Sequence, residues 1–309
     1  MREIAVFGGS SHPELTAEIC AHLQVPQRPV LFKRFANDCL EVQLQSNCRE
    51  RDVYIIQSLV RPVQENLVEL LLMADAARGA SAARVSAVIP HYAYARSDKK
   101  DAPRISIGGR LVADLLVTAG VDRVLTLNLH SPQVHGFFSV PVDHLHALRE
   151  LAAHFRQRDL SNAMVVSPDL GYAKSAAAFA RRLGLPVAAG AKERISDSEV
   201  RITAIIGDVT GRDVIILDDE ISRGTTVFEL LDRLREHGAH SVAVACTHGL
   251  FADNALDKLA AADVTEIVCT NSAPIQAEHP KLTVLSVAPA LAEAIDRIHN
   301  GESVSALFD

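Results

Sequence analysis

The sequence predicts an α/β protein made of two similar domains, each a mainly parallel sheet flanked by helices. Short β-branched runs alternate with longer amphipathic segments, the pattern of parallel strands joined by crossover helices. At 309 residues the chain exceeds what one hydrophobic core usually serves, so about two domains of roughly 150 residues are expected. Finally, "DLLVTAGVDRVLTLNLH" and "DRLREHGAHSVAVACTH" superpose without a gap, pairing Asp114 with Asp232, Leu116 with Leu234, Gly120 with Gly238, Val124 with Val242 and His130 with His248. Such an internal echo suggests a duplicated unit. A boundary between Pro141 and Arg149 then divides the chain into domains 1–145 and 146–309.

Taken in order, the strand candidates are Ile4 to Phe7, Val53 to Ile56, Val85 to Ile89, Val124 to Asn128, Met164 to Val166, Val214 to Leu217, Ser241 to Cys246, Glu266 to Cys269 and Leu282 to Leu285. Most are too apolar for one wet face, as strands buried on both sides should be. Helix candidates are Gln64 to Arg78, Ile107 to Ala119, Tyr172 to Leu183, Thr225 to His237 and Ala290 to His299. Gly120, Gly184 and Gly238 stand where helix C-termini need a left-handed residue, and Pro289 stands where a helix start tolerates proline.

Hydrophobic residues make up 48% and charged residues 22%, with a formal net charge of -7. This balance argues against a generic nucleic-acid or anionic-membrane binder, because phosphate-backbone affinity needs clustered positive charge. The opening "MREIAVFGGSS" has no signal-peptide core, and no apolar run reaches membrane-spanning length, so a cytoplasmic protein is expected. Five scattered cysteines without a C-x-x-C pair indicate reduced thiols.

No P-loop NTPase or dinucleotide fingerprint is present. Another phosphate device is. In "VIILDDEISRGTTV" an apolar strand expected to end at Leu217 runs into Asp218, Asp219 and Glu220, and a short turn leads to a helix. Helix N-terminal N–H groups, the Thr225 and Thr226 hydroxyls and a permissive Gly224 make an anion site. The acids ahead of the turn suit sugar hydroxyls or Mg2+, with Glu220 expected in solvent. "IPHYAYARSDKKDAPRI" clusters Arg96, Lys99, Lys100 and Arg104 near Tyr92 and Tyr94, which suits a nucleotide's polyphosphate and base. Asp169 in "VVSPDLG" and His130 in "LNLHSPQ", each at a strand end, could share a metal ion. Lys192 and Arg194 lie in a polar segment read as a loop able to close over a phosphate.

Together these motifs resemble the ribose-phosphate pyrophosphokinase family over nearly the whole chain. "FGGSS", "VIPHYAYARSDKK", "NLHSPQVHGFF", "VVSPDLG", Lys-x-Arg and the D-D-x-x-x-x-G-T-T loop follow in family order. The resemblance implies two type I phosphoribosyltransferase-like domains. It also implies Mg2+-dependent transfer of the β,γ-pyrophosphoryl group of ATP to O1 of ribose 5-phosphate, in a dimer-based homo-oligomer, possibly a hexamer. By motif position ATP would be held by Phe35, Asn37, Asp38, Cys39, Arg96, Ser97, Asp98 and Lys99, with Phe35 and Asn37 reaching from a neighbouring subunit. Lys192 and Arg194 would be catalytic, and His130 and Asp169 would bind the metal. Ribose 5-phosphate would sit on Asp218, Asp219, Ser222, Arg223, Gly224, Thr225 and Thr226.

The sequence departs from the family at ligand positions. Asn37, Asp38 and Cys39 replace Asp or Asn, Gly or Gln, then Glu; Ser97 replaces Gln; Asn128 replaces Asp; Ser139 replaces an acid; Ser222 and Arg223 replace Asp and Thr. Two alternatives therefore stand beside the kinase reading: a non-catalytic regulatory homologue, and a phosphoribosyltransferase.

Overall fold

The computed structural model describes residues 2–194 and 200–307, with backbone alone at 192–194 and 200–201. The chain forms two compact units, one of Met1–His146, Ser272–Pro274 and Ser286–Asp309, the other of Ala147–Asn271 and Ile275–Leu285.

The first unit is built from β1 (Ile4–Gly8), α1 (Pro13–Leu23), β2 (Gln27–Arg28), β3 (Val30–Arg34), β4 (Leu40–Leu44), β5 (Asp52–Ile56), α2 (Val63–Gly79), β6 (Arg84–Ile89), α3 (Gly108–Thr118), β7 (Arg123–Leu127) and β8 (Val142–Leu145). Its six-stranded sheet runs β2-β1-β5-β6-β7-β8 with every neighbouring pair parallel. All five residues of β5 are buried, which accounts for its lack of polar alternation: helices cover both faces. The β3–β4 hairpin forms a separate two-stranded sheet. Its half-buried Val30, Phe32, Val42 and Leu44 pack on the core.

The second unit contains α4 (Leu148–Phe155), β9 (Ala163–Ser167), α5 (Ala173–Leu183), β10 (Val187–Arg194), β11 (Val200–Ile206), β12 (Asp213–Ile221), α6 (Thr225–Glu236), β13 (Ser241–Gly249), α7 (Ala255–Ala261), β14 (Glu266–Thr270) and β15 (Leu282–Leu285). Its sheet runs β11-β10-β9-β12-β13-β14-β15, parallel except for β11.

The connectivity repeats. Setting β9, β10, β12, β13, β14 and β15 against β1, β2, β5, β6, β7 and β8 reproduces the same order in both sheets. In this correspondence β13 matches β6, whereas the echo in the sequence pairs it with β7. The echo is thus one helix-strand step out of register: any helix-Gly-strand passage with a buried strand repeats the same letters, and only the ladder order says which strands correspond.

The last helix, α8 (Ala288–Asn300), belongs to the first unit. There His299 Nδ1 lies 2.8 Å from Asp52 Oδ2, which also accepts from Arg84 at 2.8 Å, and the Tyr54 hydroxyl donates to Ile295 O at 3.4 Å. Pro289 falls in its first turn, as its spacing predicts. The expected helix-terminal glycines are also left-handed, with φ 106 at Gly120, 70 at Gly184 and 73 at Gly238.

Candidate active site

The second unit assembles the candidate phosphate loop. β12 pairs with β13 as far as Glu220 with His248 and Ile221 with Gly249. The acids are therefore the last rungs of a strand and not, as their chemistry suggested, the start of a loop. Asp219 is only 5% exposed, and Glu220, expected in solvent, is half-buried. Residue 218 keeps some solvent contact, yet its carboxyl is enclosed by protein. That burial pushes its pKa well above the ordinary carboxylate value, and the charges of Asp219 and then Asp169 push it further. Strand ends from β9 and β12 thus crowd three carboxylates into one electrostatic neighbourhood. Such crowding is characteristic of sites waiting for a cation or a polyhydroxyl ligand.

Beyond the acids the chain turns through Gly224, the N-cap of α6, at φ 75 and ψ 7. A side chain is disfavoured here twice over: the conformation is left-handed, and an added Cβ would lie 3.0 Å from the Phe228 ring. No side chain caps α6, so its first N–H groups are available to an anion. Thr225 is exposed and Ser222 and Thr226 are half-buried around them.

Arg223 points elsewhere. Its Nε donates to Asp253 Oδ2 at 2.7 Å, and Lys258 Nζ donates to the Asp253 carbonyl at 3.1 Å. This ion pair borders an open cleft of about 410 Å³ that Thr225, Phe228, Glu229 and Asp232 also line.

Asp169 closes its own turn: its Oδ1 accepts from Tyr172 N at 2.9 Å, and its carbonyl accepts from Ser167 Oγ at 2.7 Å. Lys192 and Arg194 lie on β10, which pairs antiparallel with β11 past a register shift between Ala191 and Lys192. The segment read as a loop is a strand through Arg194, because an eighth residue of β10 finds a partner at Val200. Residues 195–199 lie outside the described residues.

In the first unit the candidate ATP residues divide. Phe35, Asn37, Asp38 and Cys39 form the tip of the β3–β4 hairpin. Phe35 N donates to Cys39 O at 2.9 Å, and Asp38 adopts φ 69. The Asp38 carboxylate accepts from Arg34 at 2.6 Å, and Lys33 sits 4.7 Å from the centre of the Phe35 ring. Arg96 and Lys99 are exposed, whereas the Ser97 hydroxyl accepts from Gly108 N at 3.0 Å and so anchors the start of α3. Asp98 Oδ2 accepts from Ser131 Oγ at 2.6 Å, which ties this stretch to the residue after His130. Nothing in "HSPQ" marks Ser131 for that link in the sequence. Tyr92, offered as a face for a base, is a core residue: it is 3% exposed and donates to Gly109 O at 2.9 Å.

The first unit's counterpart of the phosphate loop joins β5 to α2, and its own side chains fill it. Buried Gln57 donates through Nε2 to Glu69 Oε1 at 2.7 Å and to Asn66 O at 3.1 Å. Ser10 donates to Glu69 through its N–H at 2.6 Å and its hydroxyl at 2.8 Å. Ser11 N donates to Gln57 Oε1 at 3.1 Å. "FGGSS" thus closes this loop in the first unit, leaving the second unit's loop as the candidate phosphate site.

His130 lies in the first unit and Asp169 in the second. Among the described residues no three His, Cys, Asp or Glu side chains converge as a metal cage. Oxygen donors of the kind found at Asp169, Asp218 and Asp219 do suit Mg2+, which keeps most of its waters and takes one or two carboxylates beside substrate phosphates.

Residues 4–120 match the family model described as the N-terminal domain of ribose phosphate pyrophosphokinase, and residues 197–309 match a phosphoribosyl synthetase-associated domain. A Streptomyces coelicolor protein carrying a provisional ribose-phosphate pyrophosphokinase assignment is 71% identical, over 100% of this chain and 98% of its own. The ribose-phosphate pyrophosphokinase of Deinococcus radiodurans is 50% identical over 99% of this chain and 98% of its own. A crystal structure of phosphoribosylpyrophosphate synthetase from Mycobacterium smegmatis superposes with a TM-score of 0.92 at 38% identity, covering 97% of this chain and 100% of that one. No helix among the described residues is long and apolar enough to cross a membrane. By sequence over its full length, and by fold, the chain belongs to the ribose-phosphate pyrophosphokinase family.

Proposed function

We propose that the protein is a ribose-phosphate diphosphokinase, transferring the β,γ-pyrophosphoryl group of ATP to O1 of ribose 5-phosphate and releasing AMP. The observation that carries this is the second unit's strand end, where crowded Asp218 and Asp219 stand directly before an uncapped helix N-terminus. A pentose phosphate presents both complements: hydroxyls for the carboxylates and a phosphate for the N–H groups. O1 attacks the β-phosphorus in line, the O1–Pβ bond forms as the Pα–O–Pβ bridge breaks, and AMP carries away the bridging oxygen. Such a step needs positioning and charge neutralisation, and no covalent intermediate.

Lys192 and Arg194 are proposed to stabilise the transferring group. Arg96, Ser97, Asp98 and Lys99 would meet ATP, with the hairpin tip from Phe35 to Cys39 supplied by a neighbouring copy of a homo-oligomer. Mg2+ would be held by His130 and Asp169, where it would neutralise phosphate charge. A cytoplasmic location and a domain boundary between residues 145 and 146 belong to the same proposal, with residues 286–309 counted in the first domain.

Incubating the purified protein with ATP, ribose 5-phosphate and Mg2+ should yield AMP and phosphoribosyl pyrophosphate in equal amounts. ATP binding with neither product formed would instead establish a non-catalytic homologue. Product formed from phosphoribosyl pyrophosphate and a free base would establish a phosphoribosyltransferase.

A second expectation concerns Arg223. Because it is bound to Asp253 and both side chains are largely exposed, the pair contributes little. Arg223→Thr should raise the ribose 5-phosphate KM less than about fivefold, the equivalent of about 1 kcal/mol. A rise of 50-fold in steady-state kinetics would show that the guanidinium swings onto the phosphate.

A further inference from the structure

The turn that presents His130 is held by a side chain with no role assigned so far. β7 and β8 pair Thr126 with His144 and Leu127 with Leu145, and Asn128 N donates to Leu145 O at 2.9 Å. There the parallel ladder ends. Asn128, 4% exposed, takes φ 36, a left-handed conformation that asparagine tolerates better than most residues. The next N–H belongs to Leu129, also buried, and it donates to Nε2 of His144 at 2.8 Å. An imidazole from β8 therefore continues the ladder by one rung after the backbone acceptors run out.

The chemistry of the pair fixes the ring's state. A backbone N–H can only donate, so Nε2 must be the unprotonated nitrogen and Nδ1 carries the hydrogen. The ring leans on His146, with centroids 4.6 Å apart. One residue further along the chain His130 emerges into solvent, and Ser131 is fastened to Asp98 at 2.6 Å. His130 thus rides on a two-point mount, His144 on one side and Asp98 on the other.

We propose that His144 is a positioning residue for His130, holding the Asn128–His130 turn through the Leu129 N–H. The inference rests on the reading of His130 as part of the transfer site. Residues that orient a ligating or reacting side chain in this way are commonly worth about 10- to 100-fold in affinity or activity.

Three proteins test it: wild type, His144→Leu, which removes the acceptor at similar bulk, and His144→Gln, whose Oε1 can reach the place of Nε2. Hydrogen exchange at the Leu129 amide should accelerate at least about tenfold in His144→Leu and stay within about threefold of wild type in His144→Gln. The kcat per folded protein should fall about 10- to 100-fold in the leucine variant and return to within about threefold of wild type with glutamine. KM for ribose 5-phosphate should change less than about threefold in both, since neither His144 nor Leu129 is among the groups proposed to bind that sugar phosphate. The His130 ring resonances should move in His144→Leu only. Unchanged Leu129 exchange in the leucine variant, or faster exchange with kcat and His130 resonances unmoved, would overturn the proposal. If wild type itself made no product, the transfer reading would fall, while exchange at Leu129 and the resonances of His130 would still decide whether His144 sets the turn.

Discussion

Asp218→Asn is expected to raise the melting temperature of the ligand-free protein and to cut turnover by at least about 100-fold. Both effects come from the same crowding. Burial and the charges of Asp219 and Asp169 hold the Asp218 carboxyl well above its ordinary value of 3.8. Between that value and the raised one, the folded chain keeps a proton that the unfolded chain releases, so stability falls as pH rises through this window and the cost persists at neutral pH. Asparagine cannot ionise and escapes that cost. On its proposed role it also removes a carboxylate acceptor for ribose hydroxyls, so kcat/KM should collapse, since hydrogen bonds to charged groups are the stronger ones. Each kcal/mol relieved should appear as roughly 2–4 °C in a chain of this size. Thermal unfolding without ligand from about pH 4 to about pH 8 tests the sign. The variant's advantage should be greatest at the alkaline end and vanish toward the ordinary carboxylate pKa near 4. A wild type that stays the more stable at pH 8 would mean that the three carboxylates do not repel one another.

Gly9→Ala should destabilise the first unit by about 2–4 kcal/mol, through overpacking combined with broken buried hydrogen bonds. A Cβ at this position would lie 2.3 Å from Gln57 Oε1 and 2.8 Å from Glu69 Oε1. Flexible side-chain ends normally step aside, but these two are buried and hold Ser10, Ser11 and Asn66 between them. Moving either strands a donor or an acceptor away from water. Adding Gln57→Ser should recover part of the loss by making room, a coupling that a double-mutant cycle in urea would measure. Strictly additive effects would show that the methyl group and Gln57 do not meet.

The nine strands and five helices read from pattern are all present because their signals are local. A strand buried on both faces reads as a nearly continuous apolar run, as residues 53–56 of β5 and 163–166 of β9 do, and a helix often ends in a left-handed residue that glycine supplies most readily. The elements that went unread have weaker signatures. α1 begins at Pro13 with a hydrogen bond from Leu15 N to His12 Nδ1, and β2 is only two residues long. β11 closes an edge by pairing antiparallel with β10, which no local pattern announces. In the candidate site, the D-D and G-T-T motifs marked a strand end and a helix start that the structure does bring together as β12 and α6, but whether a neighbouring polar residue faces a ligand or the protein was not legible. Tyr92 and Arg223 carry the right chemistry and spend it on Gly109 and Asp253.

The sequence alone determined a two-part α/β enzyme of its family and marked a candidate phosphate loop between Leu217 and Val227, since short-range periodicity, turn chemistry and motif order are written along the chain. Tertiary structure alone decided which strands of the two units correspond, that α8 returns to the first unit, that Gln57 and Glu69 seal one loop while the other stays open, and that His144 carries the turn before His130. Those outcomes depend on contacts between residues far apart in sequence, where ladder order and the need to satisfy each buried donor choose among partners that the sequence leaves equivalent.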